Sequence, residues 1–380
     1  MFLGPKTARE IEPRRTLDPI RTSTPSVARS LDRSFSRSMF TSSTETPELS
    51  LGFPSAQMEE ERSVARGAVA VAACAAMAVF YVAILYAPTL VLRLPQSKSL
   101  NSFMIRRFIC VSIASVVSLI FSALILPKGS WELSHLSAAY GIRADHMWQA
   151  VVYPLSLTSL MYAGSLVSKS LSLLSSWKED EHDVSFCHVK NISQRFLDWV
   201  SSVASNVLAW RNYVVSPLTE ELVFRACMIP LLLCGGFKVL SIIFLSPIFF
   251  SLAHLNHFLE LYWLQNYTFL KAALIIGFQL GYTVIFGSYA SFLFIRTGHL
   301  VAPLVAHIFC NTMGLPLLPS RGKGLMNVVS IAGMIGFLLL LFPATRPSMF
   351  NGKTDNCSTT ILSSQLKLIF RNERLLIYPV

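Results

Sequence analysis

The chain has 380 residues, of which 53% are hydrophobic and 14% charged, and its mean hydropathy is +0.52. Soluble globular proteins carry about a quarter charged residues, so this composition excludes that class and predicts a protein embedded in a lipid bilayer. The formal net charge of +11 does not indicate a nucleic-acid partner. The excess of basic residues lies in the tails and near helix ends, and basic flanks mark the cytosolic side of membrane helices.

Residues 1–61 are predicted to form a disordered Arg- and Ser-rich tail. Residues 1–37 contain eight Lys or Arg against four Asp or Glu, among many Ser, Thr and Pro, and such a segment cannot bury a core. An organelle transit peptide is the alternative, but the four acids count against it because such peptides are poor in acids. The other tail, residues 346–380, has no function that the sequence indicates.

Residues 62–345 are predicted to form an all-α, polytopic membrane domain of about eight transmembrane helices. Five spans contain no Asp, Glu, Lys or Arg and are close to or above the roughly 20 residues that cross a hydrocarbon core. They are Gly67–Leu92, Phe108–Pro127, Met147–Ser168, Ala272–Ile295 and Gly324–Thr345. Three spans with polar groups complete the count as helices 4, 5 and 7, namely Pro217–Cys234, Val239–His257 and Leu300–Leu318.

Two adjacent glutamates precede an arginine at the start of helix 4. Ser216 followed by Pro217 predicts that a helix begins here, with serine as its N-cap, and acids near such an end interact favourably with the helix dipole. Glu221 and Arg225 are also spaced for an i,i+4 ion pair. Because successive helical residues diverge by about 100°, that pair leaves Glu220 facing elsewhere. Glu221 would then stabilise the fold, while Glu220 would be free for catalysis.

Helices 5 and 7 each carry a polar face. His254 and His257 are three residues apart, and His307 and Asn311 are four apart, so each pair shares one side of a helix. Hydrogen bonding between membrane helices is the structural alternative for each pair. Three such helices carry these groups, whereas the five cleaner spans carry almost none, which favours one shared site.

A carboxylate, imidazoles and an amide are the groups that a hydrolase needs. A glutamate in a low-dielectric site can take a proton from water, and a histidine with an amide can donate to a developing oxyanion. The zinc signature HExxH and the serine signature GxSxG are absent from the sequence,. Two histidines with one glutamate are also a familiar zinc set, so a metal remains the main mechanistic rival. Cys227 is the weaker nucleophile candidate, since a cysteine in an apolar helix is usually structural.

Three motifs resemble one known family. Glu220-Glu-x-x-x-Arg225, Phe250-x-x-x-His254 and His307-x-x-x-Asn311 are similar, in this order, to the motifs of the CAAX-processing and bacteriocin-processing (CPBP) intramembrane proteases. The longer strings from Arg211 to Pro230 and from Gly298 to Pro303 resemble its eukaryotic type II CAAX prenyl protease branch. The match covers about residues 211–316, and the family's eight-helix fold agrees with the count above.

The resemblance implies a mechanism, a substrate and a location. Glu220 would be the general base on a water assisted by His254, His307 and Asn311 would stabilise the oxyanion without a metal cofactor, and Glu221, Arg225 and His257 would be supporting residues. Substrates would be prenylated CaaX proteins, Ras-type small GTPases among them, cut to release the last three residues. The location implied is the membrane of the endoplasmic reticulum, where membrane lipid is a second partner. Two alternatives stay open: an organellar CPBP protease with another substrate, and a non-enzymatic scaffold or transporter.

Overall fold

The computed structural model describes residues 54–127 except 96 and 98, 133–179, 200–255, 267–316 and 324–350, with isolated positions between 194 and 262. Helices make up most of this part of the chain, and no strand occurs in it. The predicted all-α fold is therefore confirmed. His257, which was predicted to share a face with His254, lies outside the described residues.

Thirteen α-helices have bounds within the described residues. They are α1 (Pro54–Ala83), α2 (Ala87–Leu90), α3 (Leu100–Ile125), α4 (Leu133–Ala139), α5 (Met147–Met161), α6 (Ala163–Glu179), α7 (Val207–Trp210), α8 (Ser216–Glu221), α9 (Met228–Cys234), α10 (Val239–Leu252), α11 (Phe269–Thr297), α12 (Val301–Met313) and α13 (Gly324–Leu341). Two π-helical segments, Arg211–Val215 and Leu222–Cys227, join α7, α8 and α9 into one continuous run, the composite helix.

Four described spans are long and apolar enough to cross a membrane, namely Val64–Leu90, Leu100–Ile125, Phe269–Thr297 and Gly324–Leu341. A fifth results if α5 and Ala163–Ser175 are taken as one span, bent by 82°. These five correspond to the five charge-free spans of the sequence. The predicted total of eight is not confirmed, because the composite helix carries charges and α10 and α12 are only 14 and 13 residues long.

The composite helix lies in the centre of the main hydrophobic core. Its second π-segment and α9 are almost wholly buried, from Val223 to Leu233. Around it, α10 packs along α11, α12 packs against α5 and α11, and α13 packs against α5 and α6. α10 and α12, which are predicted to carry the histidines and the asparagine of the site, both contact the composite helix, which carries the glutamates.

α3 shows how an outer helix of this fold divides its surface. Its buried side consists largely of small residues, namely Cys110, Val111, Ala114, Ser115, Ser118 and Ser122. Its other side exposes large aliphatic residues such as Ile105, Ile109, Ile113 and Leu124. Small residues allow close helix packing in a bilayer, and the exposed aliphatic side is suited to contact with lipid.

Only the inner edges of the two tails are described. α1 begins at Pro54, inside the segment 1–61 that was predicted to be disordered, and proline is favoured in the first turn of a helix,. At the other end the described chain stops at Phe350, which is fully buried. The remaining residues of both tails lie outside the described part, so those predictions stay untested.

Candidate active site

The two π-segments of the composite helix flank the two glutamates. Pro217 and Pro230 lack an N–H and crowd the carbonyl four residues earlier, which belongs to Tyr213 and Ala226 respectively,. Both of these carbonyls lie in a π-segment. The helix is therefore wound more widely at the two places where a proline prevents regular α-helical hydrogen bonding. Such local π-winding is frequent at functional sites.

The helix start predicted at Ser216 is wrong. Ser216 has helical dihedral angles, φ −63° and ψ −53°, and the composite helix runs on through it from Val207. Because π-winding accommodates Pro217 inside the helix, no N-terminus forms there, and the glutamates gain nothing from a helix dipole. The Ser216 hydroxyl instead donates a hydrogen bond to Oε1 of Glu220.

Glu221 and Arg225 form a fully buried ion pair. Arg225 Nη1 lies 3.2 Å from Glu221 Oε1, and both side chains are 0% exposed. The guanidinium also reaches the carbonyl of Gly287 on α11 at 3.5 Å and lies over the Phe250 ring, 4.6 Å from its centroid. These contacts tie the composite helix to α10 and α11.

His307 on α12 connects the two glutamates. Its Nδ1 lies 2.7 Å from Oε1 of Glu221, and because a carboxylate only accepts, Nδ1 carries the hydrogen of that bond,. Its Nε2 lies 3.7 Å from Oε2 of Glu220. The imidazole also packs against the rings of Phe286 and Phe250, which help to hold its position.

Glu220 faces a pocket rather than the core. Its side chain is 13% exposed, against 0% for Glu221, and it lines an open pocket together with His254. Tyr81, Phe108 and Phe224 supply apolar parts of the same wall. A single carboxylate beside an imidazole in a largely apolar wall suits general-base chemistry on a bound water.

The tautomer of His254 follows from its backbone contact. Nδ1 lies 2.9 Å from the carbonyl oxygen of Phe250, and because a carbonyl only accepts, the hydrogen is on Nδ1. In a neutral imidazole Nε2 is then the acceptor. His254 lies in a 3₁₀ turn, Ala253–Leu255, that ends α10 and brings the ring to the pocket.

Asn311 lies one turn after His307 on α12, as predicted from their spacing. Its Nδ2 donates to the carbonyl of Asn212 in the first π-segment at 3.0 Å. This carbonyl is thus satisfied from outside the composite helix. Asn311 therefore holds α12 to the composite helix next to the pocket, and its amide group has a second N–H as well.

No three His, Cys, Asp or Glu side chains of the described residues are grouped as ligands of one metal ion. Nδ1 of His254 and Nδ1 of His307 each bond to an oxygen acceptor of the protein. Cys227 is fully buried in the core cluster, which is the environment of a structural cysteine.

Three kinds of site residue escaped the sequence reasoning. Ser216 was interpreted as a cap, although its spacing of four from Glu220 also allows the side-chain bond that the structure shows. Arg107 and Arg211 line the pocket, and the sequence signal for Arg107 was a charge next to the charge-free span Phe108–Pro127. Thr219, which accepts or donates a 2.9 Å bond with Tyr81, gave no distinguishing signal.

The chain is similar in sequence to known proteins. A family model described as Type II CAAX prenyl endopeptidase Rce1-like matches residues 202–313, and CAAX prenyl protease 2 of Arabidopsis thaliana is 60% identical over 290 residues, 76% of this chain and 93% of the relative. The chain belongs to this Rce1-like family. The human CAAX prenyl protease 2 is 33% identical over 294 residues, 74% of this chain and 83% of the relative. No solved structure matches.

Membership of the Rce1-like family confirms the resemblance that the three motifs indicated. The chain is a membrane peptidase of the CAAX prenyl endopeptidase type, with several apolar helices. The matched region, residues 202–313, contains the composite helix, α10, α11 and α12. These elements, together with the 3₁₀ turn Ala253–Leu255 that follows α10, carry every catalytic residue that the sequence predicted.

Proposed function

We propose that this protein removes the C-terminal aaX tripeptide from prenylated CaaX proteins by means of a water that Glu220 activates. The observation that carries the proposal is the division between the glutamates: Glu221 is fully buried with Arg225 and His307, whereas Glu220 lines a pocket with His254. A pocket carboxylate is accessible to water and substrate. A fully buried, paired one is not.

The hydrolysis begins with proton transfer from water to Glu220. Ser216 holds Oε1 of this carboxylate, so Oε2 takes the proton, and the acceptor Nε2 of His254 orients the water. The water oxygen attacks the carbonyl carbon between the prenylcysteine and the first aliphatic residue. When the C–N bond breaks, Glu220 returns the proton to the leaving amine, which yields a free tripeptide and a prenylcysteine carboxylate.

Charge develops on the carbonyl oxygen during the attack, and two groups of α12 are placed to stabilise it. Nδ1 of His307 already donates to Glu221, so Nε2, which lies 3.7 Å from Oε2 of Glu220, donates to a carbonyl bound beside Glu220 when the imidazole carries both hydrogens. Asn311 uses one N–H for Asn212, and we assign its second N–H to the oxyanion. Loss of one such donor typically lowers the rate by about 10²- to 10³-fold.

The prenyl group explains how the substrate finds this site. Leu85 and Met104 line the pocket within about two turns of the ends of Val64–Leu90 and Leu100–Ile125, so the pocket lies near one membrane face. Each buried CH₂ of a lipid chain contributes about 0.8 kcal/mol. Insertion of the prenyl chain into the membrane lipid would thus bring the scissile bond to the depth of the pocket. Ras-type small GTPases fit this substrate class.

The site is proposed to face the cytosol from the membrane of the endoplasmic reticulum. Arg93, Arg106 and Arg107 cluster where the first span ends and the second begins. Basic residues concentrate on the cytosolic side of membrane helices, and prenylated substrates are made in the cytosol. No nucleic acid is part of the proposal.

The proposal is tested with the purified full-length protein in lipid vesicles. A farnesylated CaaX peptide and the same peptide without the lipid are incubated in parallel, and the products are identified by mass spectrometry. We expect release of the intact C-terminal tripeptide from the farnesylated peptide and at least about 10³-fold slower cleavage of the bare one, since five buried CH₂ groups already contribute about 4 kcal/mol. Equal rates for the two peptides would contradict the proposal.

The metal-free form of the mechanism has its own test. Exhaustive chelation followed by metal analysis should leave activity intact, and Asn311→Ala should lower the turnover number about 10²- to 10³-fold with little change in KM. Stoichiometric zinc whose removal abolishes cleavage, and whose return restores it, would replace this mechanism with a metal-dependent one.

A further inference from the structure

The pocket that contains Glu220 and His254 also contains two arginines. Arg107 lies near the start of α3, and Arg211 begins the first π-segment of the composite helix. Both are half-buried, and much of the surrounding wall is apolar. A guanidinium in a partly apolar wall loses part of its hydration, and it binds an anionic group with strong, charge-assisted hydrogen bonds. Two cations in the pocket of the proposed catalytic base therefore suit an anionic group on the ligand.

Neither arginine repeats the function of Arg225. That guanidinium is 0% exposed and bound to Glu221, so substrate cannot reach it. Arg107 stands over the ring of Phe103 at 5.4 Å, a contact that orients its long side chain. Its neighbour Arg106 donates to the carbonyl of Pro95 at 2.8 Å and is not among the residues lining the pocket.

The position of Arg211 along the composite helix gives a length. It is nine positions before Glu220, which corresponds to at most about 13 Å along the axis of a helix. An extended tripeptide spans about 10 Å. The arginine side chain extends several ångströms from its helix and can close the difference, so a group at the far end of a bound tripeptide meets the basic part of the pocket.

We propose that Arg107 and Arg211 bind the C-terminal carboxylate of the substrate and so set the length of the peptide that is released. The inference rests on the proposed function, because it takes the scissile bond to lie at Glu220. The group three residues beyond that bond in a CaaX protein is an α-carboxylate. Guanidinium groups match a carboxylate with paired, charge-assisted hydrogen bonds, whereas the two aliphatic residues in between need only the apolar wall.

Under this assignment the enzyme binds its substrate at two points, the prenylcysteine and the C-terminal carboxylate. A peptide with one additional residue carries its carboxylate about 3.5 Å too far, so it should be a poorer substrate although its lipid is unchanged. An internal prenylated cysteine would have no carboxylate to bind. Cleavage would thus be confined to chain ends.

The test compares two farnesylated CaaX peptides, one with a free C-terminal acid and one with a C-terminal amide, on four forms of the full-length protein. The forms are the wild type, Arg107→Gln, Arg211→Gln and the control Arg106→Gln. We expect the wild type to prefer the acid by about 10- to 100-fold in kcat/KM, the range of a hydrogen bond to a charged group. Arg107→Gln and Arg211→Gln should each reduce that preference towards one by slowing the acid alone, and Arg106→Gln should retain it.

The other outcomes contradict either the carboxylate assignment alone or the proposed function as well. Equal wild-type rates on acid and amide would overturn the carboxylate assignment and leave the proposed function standing. Equal losses on both peptides in Arg107→Gln and Arg211→Gln would also overturn it, and would assign the arginines to the fold or to lipid headgroups. If the wild type fails to cleave the farnesylated acid, the proposed function fails and this inference with it.

Discussion

Glu220 and Glu221 are neighbours in the chain but belong to two different regions. Glu221 faces a closed region behind the pocket, where it contacts Arg225 and His307 and is 0% exposed. Glu220 faces the pocket, where it contacts Ser216 and is 13% exposed. The rotation of about 100° between successive helical residues is sufficient to direct one glutamate into the region that stabilises the fold and the other into the pocket where the reaction is proposed to occur.

The comparison shows how a membrane enzyme can fix a reactive carboxylate. The closed region is bound to three helices, through Gly287 on α11, the Phe250 ring on α10 and His307 on α12. His307 reaches from this region to Glu220. The rigid pair thus sets the position of the imidazole, and the imidazole in turn sets the environment of the catalytic base.

The largest effect is expected from Arg225→Leu, which breaks the closed region. The change leaves the buried Glu221 carboxylate without its cation, and removing one partner of a buried ion pair typically costs about 3–5 kcal/mol of stability. We expect a large fall in the melting temperature in detergent. Arg106→Gln is the control, since Arg106 makes one hydrogen bond near the surface; a protein equally stable in both variants would show that the pair does not hold the fold.

An intermediate effect is expected from Gly287→Ala on α11. A Cβ at this position would lie 2.9 Å from Cβ of Pro247 and 3.2 Å from Nη2 of Arg225, and overpacking of this kind typically costs about 1–3 kcal/mol. The matched control is Gly281→Ala on the same helix, where no heavy atom lies within 4 Å. There alanine should be neutral or slightly stabilising, and equal melting temperatures for the two variants would refute the close packing of α11 on the ion pair.

The smallest effect is expected from Ser216→Ala, which perturbs the pocket alone. It removes the hydrogen bond to Oε1 of Glu220, and a bond of this kind contributes about 0.5–1.5 kcal/mol, or up to about 10-fold in kcat. The melting temperature should stay close to that of the wild type. Ser288→Ala is the control, since Ser288 bonds only to its own helix at Val284; a similar loss of kcat there would mean that the serine in the pocket has no special function.

The five outer spans could be predicted from the sequence because lipid imposes a simple rule on them. About twenty residues without charge are needed to cross a bilayer, and each of the five predicted spans has its counterpart in the structure. The bend of 82° between α5 and α6 could not be predicted in this way. It lies at Tyr162, whose hydroxyl donates to the carbonyl of Gly314 at 2.6 Å, a contact between residues far apart in the chain.

The site was predictable in its residues but not in its local winding. Spacing alone placed Glu221 near Arg225 and put His307 and Asn311 on one face, and the structure contains both arrangements. The signal at Ser216 and Pro217 is normally that of a helix start. Here the preceding residues already form a helix, and π-winding accommodates the proline. The structure around Ser216 and Pro217 thus overrides their local preference for a helix start.

The central claim is that Glu220 reacts while Glu221 holds, and the most direct measurement is a paired assay of Glu220→Gln and Glu221→Gln. Turnover of a farnesylated CaaX peptide and melting temperature are measured on the same preparations. Glu220→Gln should lower kcat by at least about 10²-fold, the lower range for loss of a general base, at a melting temperature close to that of the wild type. Glu221→Gln should lower the melting temperature through Arg225. Substantial turnover by Glu220→Gln, together with a stable but inactive Glu221→Gln, would reverse the two assignments.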